Sequence, residues 1–219
     1  MTRKERFEIV LSRLSAKYGL LDTELNYGTP FQLLVATVLS AQCTDKRVNI
    51  VTKHLFADYP DAHTMSHAEP DTLYEYIRSV SYPNSKAKYL SGIARGLVKE
   101  HQGEVPHTLE ALTALPGVGR KTANVVLAFA FGQQTLAVDT HVFRVSHRLS
   151  LVPKRCTTPL SVEKALLKYI PTGEVAYSHS WLLLHGRYTC QALRPKCAKC
   201  ELADVCDKAE TFTTKIIKN

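Results

Sequence analysis

Apolar residues in this 219-residue chain recur at a helical period in segment after segment, and no run sustains the strict alternation of a half-buried strand. Phe7, Val10, Leu11 and Leu14 open the pattern at i, i+3, i+4, i+7 spacing. Arg3, Lys4, Glu5, Arg6 and Glu8 interrupt any apolar signal-peptide core, and the two glutamates argue against an acid-poor transit peptide. Thr29-Pro30-Phe31-Gln32 has the form of a capping box with proline at the first helical position. Phe31, Leu34, Val35 and Val38 then supply a buried stripe, on a helix expected to end near Ser40. Val48, Val51 and Leu55 predict a second helix in this stretch, and Leu73, Ile77 and Val80 a third. Leu90, Ile93, Ala94 and Leu97 predict a fourth, closing before Gly103 and Pro106. Val125, Val126 and Phe129 run to Gly132, and Val142, Val145 and Leu149 follow Asp139. Val162, Leu166, Leu167 and Ile170, then residues 181–184, add two more helices. The expected fold class is all-α.

A hydrophobic content of 45% suffices for a packed core in one large domain or two small ones. The formal charge of +8 and pI near 9.2 favour a polyanionic partner, although excess lysine is also what a solvated surface carries. The longest apolar candidate, residues 123–131, falls well short of the roughly 18 residues that a membrane span requires. A soluble, cytoplasmic protein is expected.

Residues 115–123 read Leu-Pro-Gly-Val-Gly-Arg-Lys-Thr-Ala. Residues 108–115 form one short helix, residues 116–119 a tight turn, and Arg120 starts a second helix, which is helix-hairpin-helix grammar. Gly117, Val118 and Gly119 would turn backbone N–H groups toward a phosphate, aided by the positive end of the following helix. Such a turn grips a nucleic-acid backbone without reading bases. A nucleotide-binding P-loop needs glycine immediately before the lysine, where this chain has Arg120. Lys121 by itself also reads as a surface lysine beside a structural turn. Asp139, in Val138-Asp139-Thr140-His141, reads first as the N-cap of the helix that follows; a carboxylate held there is also a fixed one.

Cys190, Cys197, Cys200 and Cys206 form C-x6-C-x2-C-x5-C. In a reducing cytosol close-set cysteines bind metal more often than they pair. Both tetrathiolate zinc and an iron–sulfur cluster satisfy the spacing. Arg194, Lys196 and Lys199 lie within this loop, as a basic finger against a phosphate backbone or as solvated charge. Cys43 and Cys156 lie far from it and read as small apolar residues.

Taken together, Ser40-Ala41-Gln42-Cys43-Thr44-Asp45, the hairpin nonapeptide, Val138-Asp139-Thr140-His141, His185-Gly186-Arg187-Tyr188-Thr189-Cys190 and the cysteine quartet resemble the endonuclease III family, bifunctional DNA glycosylases and abasic-site lyases. The resemblance covers nearly the whole chain in the family's order. It implies a two-lobed helical protein that binds duplex DNA as a monomer. Residues 23–134 would form a six-helix domain carrying the hairpin at about residues 108–130. Residues 1–22 and 135–219 would form the other lobe, with one four-iron, four-sulfur cluster on the four cysteines.

By the same resemblance Lys121 is the catalytic lysine and Asp139 the catalytic aspartate. A lysine side chain, with a pKa of about 10.4, needs a neighbour to take its proton before it can act as a nucleophile. A damaged pyrimidine nucleotide would be extruded from the stack, and Lys121 would attack C1′, displace the base and form a Schiff base that undergoes β-elimination. Gln42 would enter the gap left by the flipped nucleotide. Tyr82 would be a second wedge, in a segment where many family members have glycine followed by a large apolar residue and this chain has Ser81-Tyr82-Pro83. An adenine-specific mismatch glycosylase is the nearest alternative; those enzymes usually lack the lysine and carry a further C-terminal domain, whereas this chain stops soon after Cys206. A non-catalytic iron–sulfur DNA-binding protein would not need both Lys121 and Asp139.

Overall fold

A computed structural model describes residues 1–20 and 23–209. Eleven α-helices and two 3-10 turns account for the regular structure of these residues, and none of them is in a strand. No helix among them is long and apolar enough to cross a membrane. They fall into two compact units, residues 23–133 and residues 1–20 with 134–209. Each unit has its own apolar cluster.

In residues 23–133 the central element is α2 (Pro30–Leu39), with eight of ten residues buried. A helix apolar on all sides must be wrapped, and α3 (Asp45–Asp58), α6 (Pro83–His101) and α8 (Arg120–Phe131) wrap it. Thr29 caps α2 by accepting the Gln32 N–H at 3.2 Å. The expected box is not closed reciprocally, because the Gln32 side chain accepts the N–H of Gly28, one residue further back, at 2.8 Å.

A short α4 (Ala62–Ser66), with too few residues to show a period, caps on Asp61 and packs with α5 (Pro70–Ile77) against α6. The third apolar set therefore splits. Leu73 and Ile77 lie on α5, but Val80 is buried beyond its end, its N–H turned back to the Ile77 carbonyl at 2.9 Å. Pro83 then starts α6, and the residue before a proline is driven out of the right-handed helical region. Truncating Leu34 or Leu90, both fully buried, would cost about 2–5 kcal/mol.

In the second unit, α1 (Arg3–Tyr18) buries Phe7, Val10, Leu11 and Leu14 as its spacing requires. It packs on α11 (Val175–Tyr188), which also lies along α9 (Thr140–Arg148); α10 (Pro159–Leu166) adds to α9. Gly186 sets the closeness of α9 and α11, since a Cβ there would stand 2.9 Å from the His141 Cβ. Trp181, the chain's single tryptophan, donates its indole N–H to the Gly19 carbonyl at 2.7 Å, fixing the end of α1.

Candidate active site and thiol centre

The hairpin is α7 (Leu109–Ala114), the turn 115–119 and α8. Gly117 has φ +71°, open to glycine at little cost, and a Cβ there would lie 2.5 Å from the Tyr89 ring. Gly92 of α6 meets the other side of the turn, its Cβ position 3.0 Å from Pro116 Cγ. Val118 does a different job from the one its neighbours suggest. Its side chain is buried in the core, and its N–H donates to the Leu115 carbonyl at 3.2 Å, closing the turn instead of facing outward. Gly117 and Gly119 are the exposed backbone positions. Gly119 is the N-cap of α8 and brings no side-chain cap, so the positive end of a twelve-residue helix opens at the turn. Lys121, half-buried, stands in the first turn of that helix.

Asp139 is half-buried in the other unit and caps α9, its Oδ1 accepting the Val142 N–H at 2.8 Å. The capping reading is thus correct as far as it goes, and it leaves a carboxylate with one oxygen committed and its direction fixed.

Gln42 and Tyr82 are both exposed, and both adopt left-handed backbone, φ 54° and 57°. Ser81 joins their loops by donating its hydroxyl to the Gln42 carbonyl at 2.6 Å.

The four cysteines are free thiols, each half-buried, and all four line one cavity of about 360 Å³ including its open mouth. Two 3-10 turns, Cys197–Lys199 and Ala203–Val205, bring the last three together. Burial pushes the Cys197 and Cys206 thiols up, and Cys200 to about 11, so a cation among them is what would hold them as thiolates. This donor set suits a thiophilic metal centre. Arg148 supports it from α9. Its guanidinium reaches Cys190 Sγ at 3.5 Å and donates to the carbonyls of Gln191 and Ala192 at 2.7 and 2.8 Å.

His185, Cys200 and Glu201 also bring ligand atoms within 4.8 Å of one another. His185 Nε2 lies 3.8 Å from Cys200 Sγ, and Nδ1 lies 3.3 Å from Glu201 Oε1 without the alignment of a hydrogen bond. Burial holds this imidazole below its usual pKa against the pull of Glu201. Glu201 already pairs with Lys17 at 2.9 Å and does not line the cavity, whereas the four thiols and His185 do. Arg194, Lys196 and Lys199 are exposed on the same loop.

Sequence reasoning gave no role to Arg148 or Lys86. Each is one basic residue among several on its helix, and its partners, 42 to 47 positions away, leave no local pattern.

Comparison with known proteins places these features in a wider set. A sequence profile of the HhH-GPD superfamily of base excision DNA repair proteins matches residues 35–172. Endonuclease III of Escherichia coli K12 is 46% identical over 213 residues, 96% of this chain and 98% of that protein. Endonuclease III of Haemophilus influenzae is 45% identical over 210 residues, again 96% and 98%. A trapped endonuclease III–DNA covalent intermediate, an estranged-adenine complex, is similar with TM-score 0.90 and 40% identity, over 96% of this chain and 99% of that one. A non-covalent endonuclease III–DNA complex gives TM-score 0.91 and 39% identity over the whole of both chains.

Proposed function

Because the chain belongs to the HhH-GPD superfamily of base excision DNA repair proteins, and within it to the endonuclease III family, we propose that Lys121 and Asp139 carry its chemistry. The protein is a DNA glycosylase and abasic-site lyase acting on duplex DNA. The adenine-specific and non-catalytic alternatives are not favoured by relatives of this identity and coverage. The observation that carries the residue assignment is Lys121 in the first turn of α8, directly behind the glycine turn at 116–119, in a chain similar to an enzyme captured in covalent linkage to DNA.

The proposed substrates are oxidised or otherwise damaged pyrimidines. The lesion is extruded, since C1′ cannot be reached within the stack. The Lys121 amine attacks C1′ with Asp139 as the proposed general base, and the C1′–N bond breaks, the base leaving as an anion that takes its proton from solvent. The sugar ring opens to a protonated imine on Lys121. Loss of a C2′ proton then expels the 3′ phosphate, and water releases the lysine. Gln42 and Tyr82 fill the space vacated in the duplex, and Gly117 and Gly119 hold the backbone. Arg194, Lys196 and Lys199 add phosphate contacts from the cysteine loop. The cytoplasm of a bacterium is the expected setting.

Cys190, Cys197, Cys200 and Cys206 would hold one four-iron, four-sulfur cluster, which when bound supplies a rigid cross-link for the loop and no step of the reaction. Elemental analysis of the protein as purified is expected to give about four iron atoms per chain by that assignment; one zinc and no iron would overturn it.

Asp139→Asn tests the aspartate cleanly, because asparagine caps a helix as well as aspartate does. Thermal stability should be nearly unchanged. Turnover on duplex DNA bearing thymine glycol should fall by about 100-fold or more, the scale of a lost general base. Unchanged turnover would leave Asp139 as a cap alone.

A further inference from the structure

Gln42 and Tyr82 hold left-handed backbone although neither is glycine, a conformation that L side chains enter at a cost. Something must hold them there, and Lys86 is built to do so. It is 4% exposed, which is rare for lysine. Its ammonium donates to the carbonyls of Leu39 at 2.8 Å and Ala41 at 2.7 Å, acceptors at the end of α2 that the helix itself leaves without donors. A positive charge is favourable at that negative helix end. The main chain of the same residue donates to the Tyr82 carbonyl at 3.1 Å. Ser81 takes the next acceptor along, the Gln42 carbonyl, at 2.6 Å.

Lys86 and Ser81 therefore occupy the carbonyls on both sides of Gln42, from the segment that presents Tyr82. We propose that Lys86 and Ser81 are positioning residues that lock Gln42 and Tyr82 into a single wedge, so that the two side chains enter the duplex together. The inference rests on the proposed role of Gln42 and Tyr82 in filling the vacated space. Without the latch, each loop can relax out of its left-handed turn, and DNA is bound without the base opposite the lesion being displaced.

The test is a duplex carrying a tetrahydrofuran abasic analogue opposite 2-aminopurine, whose fluorescence reports unstacking of that base, read at saturating protein. Wild-type protein should change the signal, and Gln42→Ala and Tyr82→Ala should lose the change. Ser81→Ala and Lys86→Met should also lose it while still binding. With KM nearly unaltered, kcat on thymine glycol should fall about tenfold for Lys86→Met, the scale of a lost hydrogen bond from a charged group, and about threefold for Ser81→Ala, the scale of a neutral one. Ser81→Ala combined with Gln42→Ala should be no worse than Gln42→Ala alone. If Lys86→Met does not fold, Ser81→Ala, at a half-buried surface position, decides the matter. A normal signal in Ser81→Ala and in folded Lys86→Met, with Gln42→Ala defective, overturns the latch alone. No signal from wild-type protein, or normal signals from Gln42→Ala and Tyr82→Ala, removes the wedge itself and the latch with it.

Discussion

Gly117 and Gly119 are two positions apart in one turn, yet they are glycine for different reasons. At Gly117 the fold itself demands it, through φ +71° and the Tyr89 ring 2.5 Å from where a Cβ would sit. At Gly119 the backbone is ordinary, φ −88°, and nothing stands within 4 Å of a Cβ. If a phosphate approaches this backbone, it is the ligand that forbids a side chain at Gly119. Gly119→Ala should cost only about 0.5–1 kcal/mol of stability, since glycine is a moderate N-cap. Affinity for duplex DNA should nonetheless drop about tenfold, the equivalent of one charge-assisted hydrogen bond. Equal affinity in titrations of a fluorescent duplex would show that phosphate does not come this close. The nonapeptide made both glycines visible in the sequence, but the difference between them depends on Tyr89, which only the packing of α6 against the turn reveals.

At the scale of elements, α1 is fastened to the cysteine loop by a row of ion pairs. Arg6 meets Asp207 at 2.9 Å, Arg13 meets Asp204, and Lys17 meets Glu201 at 2.9 Å. The cations fall at i, i+7 and i+11 on one face of the helix, and their acidic partners run the opposite way along the loop. Arg6 and Arg13 also donate to the carbonyls of Val205 and Glu201, both at 2.7 Å. The Arg13 guanidinium holds Asp204 below its ordinary 3.8, and Ser150 with Arg6 does the same for Asp207. Burial works against Glu201, but Lys17 prevails and holds it below 4.5. Carboxyls depressed in the folded state contribute stability that is complete above those ordinary values and is lost as pH falls through the folded ones. The thermal midpoint read from Trp181 fluorescence should therefore be level down to about pH 5 and decline below about pH 4. Lys17→Met should remove part of that decline, and a midpoint that rises on acidification would contradict the account. The amphipathic face of α1 was legible from its apolar spacing. Its pairing was not, because partners 184 to 201 residues apart leave no local signal.

For the whole molecule, helical period and turn residues carried the all-α class, and the joint order of five motifs carried the family. What periodicity missed was α4, too short to show a repeat, and the end of α5 before Val80. Two separate apolar clusters, one in residues 25–127 and one in residues 7–14 with 136–205, give each unit an independent core. A net charge of +8 suits a chain that must hold a polyanion wherever it lands. In the proposed reaction this chain joins its own lysine to the sugar of a damaged nucleotide. Borohydride reduction during reaction with thymine-glycol duplex, followed by proteolysis and mass spectrometry, tests it directly. One stable protein–DNA adduct is expected, with the modified peptide carrying its mass at Lys121 and no adduct from Lys121→Ala. An undiminished adduct from Lys121→Ala, or one mapped to another residue, would contradict it.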